Sequence, residues 1–316
     1  MAQSGHHVIN YCDDFLLISD KTDCQAAFDK LCQLLQELGF KISEKKLVPP
    51  TTAAVCLGIH IDTKNFQMSI PHEKFTFIKD MCLSWATAQH CSKRQLQSLL
   101  GSLLYITKCV RYSRFFLNRM LQVLRDHKNS KHIKLSVEFH RDLNWFIKFL
   151  DIFNGKSFFK KRKYHHLVDL DACLTGMGAV CNTEIYTVKT PVMYEQANIA
   201  TLEMLNILVA VKIWGHKWAT TSVRIACDNE AVVKVLNSGH TKCPHLATIA
   251  RNIFMEIASQ DIELTVVHIP GKQNEVADLL SRWQGTVDNE NALKKLLKVF
   301  KWLKVSESHL KVDSSI

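Results

Sequence analysis

The chain has 316 residues, of which 47% are hydrophobic and 22% charged, and its formal net charge is +10. This length allows two domains with a connecting piece, and the composition is that of an ordinary globular protein. The positive charge indicates a polyanionic partner, most simply nucleic acid, and the alternative is a basic surface without such a partner.

The cysteines and the apolar runs exclude several classes of protein. The eleven cysteines are an odd number and include no CxxC pair, so the sequence predicts neither a closed disulfide framework nor a zinc site. No run of 18 apolar residues occurs, and the first residues lack the pattern of a secretory signal. We therefore expect a protein of the cytoplasm or nucleus that does not bind a membrane.

The first predicted elements are two short apolar strands within residues 6–19, joined at Cys12-Asp13-Asp14. Such a pattern is typical of a hairpin with carboxylates at its tip. A tip of this kind either holds Mg²⁺ against a nucleotide triphosphate or forms a plain polar turn.

A helix and several strands are predicted to follow the hairpin. The helix covers Asp23–Leu38 and ends at Gly39. Strands are predicted at Phe40–Ser43, Val55–Asp62 and Phe66–Ile70. Residues 72–150 then show helical periodicity, with a capping box that runs from Ser92 to Gln95.

Tyr11-Cys12-Asp13-Asp14, the helix after it and the CLGIHID segment resemble the second half of a reverse transcriptase palm. The resemblance implies that Tyr11, Asp13 and Asp14 belong to a metal-binding polymerase hairpin, and that the helical region corresponds to the thumb and connection. That family also uses fingers and a third metal-binding Asp from an earlier strand. No acid precedes Asp13 here, so we expect that this chain alone does not extend a primer.

Basic residues in the middle of the chain have two interpretations. Arginines of the helical region either follow a phosphate backbone or solvate a helix face. They are Arg111, Arg114, Arg119 and Arg125. The run KSFFKKRK at Lys156–Lys163 is either a flexible linker or a phosphate contact, and the sequence does not separate these.

From residue 164 onward the pattern predicts strands that alternate with helices. Tyr164–Val180 is predicted as two strands that turn at Gly176 and Gly178. The later predicted strands are Glu184–Thr190, Val192–Tyr194, Val223–Cys227 and Ile262–Ile269, and the helices are Thr201–Trp214, Glu230–Asn237, His245–Ser259 and Glu275–Trp283. This order predicts an α/β (α+β) fold with a mixed sheet and helices on its faces.

Four acids occupy places where a carboxylate is costly or exposed at a sheet end. Asp171 ends the first of these strands, and Glu203 is the lone acid of an apolar helix. Asp228 follows a strand, and Asp278 lies in the last helix. Carboxylates that meet at one end of a sheet need cations. Two Mg²⁺ or Mn²⁺ ions would neutralise them and clamp a phosphodiester.

The segments DACLTGMGAV, LEMLNILVAV, CDNEAVV and HIPGKQNEVADLLSR resemble a type 1 ribonuclease H domain of a retroelement, with Cys173 in place of the usual Ser. The resemblance implies that the four acids are catalytic metal ligands and that the substrate is an RNA–DNA hybrid. His268 is either a catalytic His or a packed strand residue. Asn229 and Asn274 either contact nucleic acid or brace the turn.

The wording of the last motif, after LQSLLG, most resembles DIRS-like and gypsy-like retrotransposons. We interpret the chain as a partial reverse transcriptase palm (1–70), a helical thumb or connection (71–155), a basic linker (156–163), an RNase H-like domain (164–283) and a basic amphipathic tail (284–316). The tail is predicted as a helix over Asp288–Lys304 that packs on the preceding domain, with a binding arm or membrane-surface helix as the alternatives.

We expect an endonuclease that cleaves RNA in RNA–DNA hybrids, as part of a retroelement-derived fragment that works with retroelement polyprotein partners. One alternative is an RNA-directed DNA polymerase whose missing half comes from another chain. The other is a non-catalytic nucleic-acid-binding relic, although such a relic is expected to lose one of the four carboxylates.

Overall fold

The computed structural model describes residues 6–109, 112–127, 132–152, 156–158, 163–283, 294–296 and 298–314. The chain divides into two compact units. The first comprises residues 1–77 with 155–160, and the second comprises residues 78–154 with 161–316.

The first unit contains a hairpin, a helix and a small antiparallel sheet. The hairpin pairs β1 (His7–Tyr11) with β2 (Asp14–Ile18), as the sequence predicted, and α1 (Cys24–Glu37) follows. The sheet contains β3 (Ala53–Cys56), β4 (Ile59–Asp62), β5 (Gln67–Ser69) and β8 (Lys156–Phe158), in that order. Part of the basic segment 156–163 is therefore a strand.

Two strand predictions in this unit are wrong. Phe40–Ser43 is not a strand, because Gly39 has φ +84° and the Phe40 N–H turns back to bond the Leu35 carbonyl oxygen, which closes the helix. Val55–Asp62 is not one strand but parts of β3 and β4. The chain reverses at Leu57 and Gly58, which both have positive φ, as a two-residue hairpin turn requires.

The helical region of the chain follows the predicted periodicity. Its elements are α2 (His72–Trp85), β6 (His90–Cys91), α3 (Lys93–Ile106), α4 (Arg114–Asp126), β7 (Ile133–Lys134) and α5 (Val137–Ile152). The Ser92–Gln95 capping box is confirmed at the start of α3. Apolar side chains on α3, α4 and α5, such as Leu99, Phe116 and Phe146, are fully buried.

The centre of the second unit is a six-stranded mixed sheet. Its strands are β9 (His166–Ala172), β10 (Gly176–Cys181), β11 (Glu184–Lys189), β12 (Ser222–Cys227), β13 (Glu263–His268) and β14 (Lys301–Trp302). The order across the sheet is β13-β12-β9-β10-β11-β14. Strands β13, β12 and β9 are parallel, β10 is antiparallel to β9 and β11, and β14 is parallel to β11.

Helices pack against this sheet, which confirms the predicted mixed α/β fold class. They are α6 (Ile199–Trp218), α7 (Glu230–Ser238), α8 (Pro244–Ser259), α9 (Glu275–Arg282) and α10 (Glu307–Leu310). Helix α6 is long and apolar enough to cross a membrane by composition alone, but most of it is buried against β9, β10 and α8. It is therefore the core helix of this unit.

Three predictions in the second unit need correction. Gly176 and Gly178 lie in β10 and not in the turn, which is formed by residues 173–175. Gly178 is needed because a Cβ there would lie 2.4 Å from the Cβ of Leu280 on α9. Val192–Tyr194 is a 3₁₀ turn that ends with the Glu195 N–H bonded to the Val192 carbonyl oxygen.

The tail is not helical as far as residue 304. Lys301–Trp302 is strand β14, because the Lys301 and Leu303 N–H groups bond to carbonyl oxygens of Thr183 and Ile185 along the edge of the sheet. The apolar groups of Leu296, Phe300 and Trp302 pack near Ile185 and Leu280, which agrees with the packing role for these residues. Residues 284–293 and Leu297 lie outside the described residues.

Candidate active site

Two of the four predicted acids meet at the carboxyl ends of parallel strands. Asp171 is the penultimate residue of β9, and Asp228 directly follows β12. Because β9 and β12 run in the same direction, both acids lie at one end of the sheet, where open α/β sheets bind ligands. Gly271 approaches Asp228 closely, since a Cβ on this glycine would lie 3.2 Å from Oδ2.

Glu203 reaches the same end of the sheet from α6. Its side chain is almost fully buried, with a relative exposure of 1%. Oε1 accepts a hydrogen bond of 2.9 Å from the Ala172 N–H, and Oε2 lies 3.8 Å from the Cys227 sulfur. These contacts hold the carboxylate beside both strand ends.

Asp278 and Asp171 are connected through Ser281 on α9. The buried Ser281 hydroxyl donates to Oδ2 of Asp171 and lies 2.9 Å from the carbonyl oxygen of Asp278. The Asp278 carboxylate is more exposed, and its Oδ1 accepts a hydrogen bond of 2.6 Å from Nε of Arg282. All four predicted acids therefore belong to one cluster.

The cluster is electrostatically strained in the absence of cations. Burial, and then the neighbouring Asp171, raise the pKa of Glu203 to about 9. Burial also raises the pKa of Asp171 to about 6; the Ser281 hydrogen bond opposes this rise, and the charges of Asp228 and Asp278 add to it. Such shifts mean that a proton or a cation has to neutralise part of the cluster.

The donor atoms of this cluster suit a hard divalent cation. Carboxylate oxygens are the ligands that Mg²⁺ and Mn²⁺ prefer. In the part of the chain that the structure describes, Glu203, Cys227 and Asp228 form the one group of metal-ligating side chains whose donor atoms lie within 4.8 Å of one another. Asp171 acts on the pKa of Glu203 and is acted on by Asp278, so the predicted ligand set fits such an ion.

His268 and the two predicted asparagines surround the cluster. His268 is the last residue of β13, and its Nε2 lies 3.2 Å from the backbone carbonyl oxygen of Asp228. The Asn229 side chain caps α7 by accepting from the N–H groups of Ala231 and Val232. Asn274 is buried and donates to the Leu170 carbonyl oxygen at 2.8 Å, which favours bracing over nucleic-acid contact.

The predicted basic residues of the helical region differ in their surroundings. Arg114 is exposed at the start of α4, whereas Arg119 is bound to the buried Asp142 and Arg125 donates to the side chain of Gln122. Arg111 lies outside the described residues. Of the described arginines, Arg114 is the one that remains a simple candidate for phosphate contact.

The polymerase-like hairpin forms a separate feature. Asp13 occupies the tip, and Asp14 pairs with Tyr11 at the open end of β1 and β2. All three side chains are exposed. Among the described residues the hairpin contributes no group of three close metal-ligating side chains.

The sequence analysis missed three residues that shape the cluster. Asn206 is fully buried on α6; its Nδ2 donates to the carbonyl oxygens of Asp171 and Gly178, and its Oδ1 accepts from the Tyr186 hydroxyl at 2.6 Å. Ser281 and Arg282 are the other two. Their signal was available, because positions three and four after Asp278 lie on its helix face.

The fold and the site define the class: a mixed-sheet α/β domain with clustered carboxylates, preceded by a helical region and a palm-like segment. Residues 170–284 match a family described as reverse transcriptase-like. Curated relatives include the Transposon Tf2-3 and Tf2-7 polyproteins of Schizosaccharomyces pombe, each 22% identical over 290 residues that cover 87% of this chain and 20% of the polyprotein. The chain thus spans about a fifth of the length of these relatives.

Among solved structures, a foamy viral protease-reverse transcriptase in complex with double-stranded DNA is 15% identical, with a TM-score of 0.40 over 83% of this chain and 46% of that chain. RNase H1 from Halobacterium salinarum is 17% identical, with a TM-score of 0.30 over 36% of this chain and 92% of that chain. The family match and the polyprotein relatives confirm the resemblance to a retroelement reverse transcriptase and ribonuclease H fragment.

Proposed function

We propose that the domain around the carboxylate cluster is a metal-dependent endonuclease that cleaves the RNA strand of RNA–DNA hybrids. The observation that supports this proposal is the meeting of Asp171, Glu203, Asp228 and Asp278 at one end of the sheet. The choice of substrate follows the resemblance of the motifs to a type 1 ribonuclease H. The net charge of +10 suits a polyanionic substrate.

The four carboxylates are the residues that would hold Mg²⁺ or Mn²⁺ ions. When bound, such ions supply charge stabilisation at the phosphodiester and lower the pKa of an attacking water. The chain's own contribution is to fix the ligands. The Ala172 N–H orients Glu203, the Ser281 hydroxyl orients Asp171, and Asn206 and Asn274 hold the backbone carbonyls at the end of β9.

His268 is proposed as a group that holds or moves a proton at the edge of the site. Its Nε2 contacts the backbone of Asp228 and not the carboxylate, so the ring is beside the cluster without occupying a ligand position. An imidazole at this place can take up or release a proton near neutral pH.

The test is cleavage of an end-labelled RNA–DNA duplex by the purified 316-residue protein. Mg²⁺ or Mn²⁺ should support cleavage and Ca²⁺ should not, because Ca²⁺ is larger and less demanding of geometry. The products should carry a 5′ phosphate and a 3′ hydroxyl, since water attacks phosphorus and the 3′ oxygen leaves. Asp171→Asn should abolish cleavage, and Asp13→Asn should leave it unchanged. Equal cleavage by wild type and Asp171→Asn, or none by a well-folded wild type, would contradict the proposal.

A second candidate function, RNA-directed DNA polymerase activity, has one observation in its favour. The exposed carboxylates of Asp13 and Asp14 at a hairpin tip match the polymerase hairpin that the sequence resembles. This activity would require the remaining palm and fingers from another polypeptide, and primer extension after addition of such a chain is its test.

A further inference from the structure

The last turn of α9 carries three polar side chains that face the carboxylate cluster. Asp278 belongs to the cluster itself, and Ser281 donates to Asp171. Arg282 follows one turn after Asp278 and donates from Nε to its Oδ1. The i, i+4 spacing brings the guanidinium to the rim of the cluster without any help from another element.

The Arg282 guanidinium is anchored but accessible. Its side chain is 64% exposed, although it is bound to Asp278. A guanidinium has five N–H donors in a rigid fork, and the contact with Asp278 uses the one on Nε. The rest of the fork therefore lies at the solvent-facing edge of a site that is otherwise strongly negative.

We propose that Arg282 is a substrate-contacting residue that binds a backbone phosphate of the nucleic acid strand lying at the carboxylate cluster. This inference rests on the proposed function. A phosphodiester that approaches four carboxylates is repelled unless cations accompany it, and a guanidinium fork matches a phosphate in bidentate geometry. The anchor on Asp278 reduces the freedom that Arg282 loses when the strand binds.

The alternative is that Arg282 only balances the charge of Asp278. An exposed ion pair of this kind contributes little to stability. In that case removal of the guanidinium would change the affinity of the cluster for cations, because a competing charge is lost, but it would not change the affinity for nucleic acid.

The experiment measures hybrid binding without cleavage. The full chain with Asp171→Asn is titrated with a fluorescent RNA–DNA hybrid at several KCl concentrations, alone and combined with Arg282→Ala or Arg282→Lys. Arg94→Ala is the matched control, since it removes the same charge from an exposed position on α3 that contributes nothing to the cluster. Thermal unfolding and Mn²⁺ titration calorimetry of each variant accompany the binding curves.

We expect Arg282→Ala to weaken hybrid affinity about tenfold, which corresponds to the loss of one charge-assisted hydrogen bond. The slope of log affinity against log salt should fall by about one, and Arg282→Lys should restore the slope but only part of the affinity. An affinity and salt slope equal to those of Arg94→Ala would overturn the proposal, even if Mn²⁺ affinity changes.

Failure of this inference and failure of the proposed function give different results. If wild type cleaves the hybrid but Arg282→Ala binds it normally, only the role of Arg282 is wrong. If hybrid binding depends on Arg282 but wild type never cleaves, the phosphate contact stands and the nuclease proposal is wrong.

Discussion

Arg251 on α8 and Asp142 on α5 form a buried ion pair, with 2.9 Å between Nη2 and Oδ1 and exposures of 5% and 1%. Asp142 also accepts from Arg119 on α4, and the Arg251 guanidinium lies over the Phe115 and Phe116 rings. This contact joins the helical region to a helix that packs on α6. The predicted boundary near residue 164 therefore separates segments that share a core within the second unit.

The first prediction concerns this ion pair. Asp142→Ala should destabilise the protein by about 3–5 kcal/mol, because it leaves the buried Arg251 without its counter-charge. The measurement is urea unfolding of the full chain. Asp151→Ala is the control on the same helix, since Asp151 pairs with Lys79 at the surface and its loss should cost less than about 1 kcal/mol. Equal losses would mean that Asp142 has no special role.

The second prediction concerns pH and metal. The pKa values of Asp171 and Glu203 are raised in the folded state to about 6 and about 9, so the folded protein binds more protons than the unfolded chain. Their contribution to stability is complete below their unfolded pKa values and is lost as pH rises through the folded ones. Without divalent cations, wild type should therefore lose stability relative to Glu203→Gln between about pH 5 and about pH 8.

Unfolding temperatures of wild type and Glu203→Gln, measured across this pH range with EDTA and with Mg²⁺, test the prediction. Mg²⁺ should raise the wild-type unfolding temperature at the upper end of the range, since cations replace protons in the cluster. A constant difference between the two proteins at all pH values would contradict it.

The third prediction concerns Ser281. Ser281→Ala removes the hydroxyl that orients Asp171, so the affinity for Mn²⁺ should fall about 10–100-fold, the usual effect of losing a group that positions a metal ligand. Titration calorimetry measures this directly. Ser259→Ala serves as the control, because the Ser259 hydroxyl is exposed and bonds only to the Glu256 carbonyl oxygen of its own helix. Unchanged Mn²⁺ affinity in Ser281→Ala would show that the hydroxyl does not orient Asp171.

The fourth prediction concerns the contact between β10 and α9. A Cβ on Gly178 would lie 2.4 Å from the Leu280 Cβ and 2.7 Å from the Ser281 nitrogen, so Gly178→Ala has to displace the helix that carries Asp278. We expect a destabilisation of about 1–3 kcal/mol and a loss of cleavage. Gly101→Ala in α3 has open space around its Cβ and should stabilise by up to about 1 kcal/mol. Denaturant unfolding of both variants gives the comparison.

The sequence by itself determined the order of elements and the four acids. The two-residue alternation before Asp171 and the apolar helix around Glu203 follow from local periodicity, which depends on near neighbours in the chain. The parallel pairing of β9 with β12 then brings Asp171 and Asp228 together, as the motif order implied.

Only the tertiary structure decided the contacts between distant segments. Whether Gly178 serves a turn or a helix contact depends on Leu280, about a hundred positions later, and the buried Arg251 has its partner on α5. The end of the tail became β14 because the edge of β11 offered unpaired backbone groups, which outweigh the helical pattern of its own side chains. Such contacts depend on which surfaces the fold brings together, and local periodicity carries no information about that.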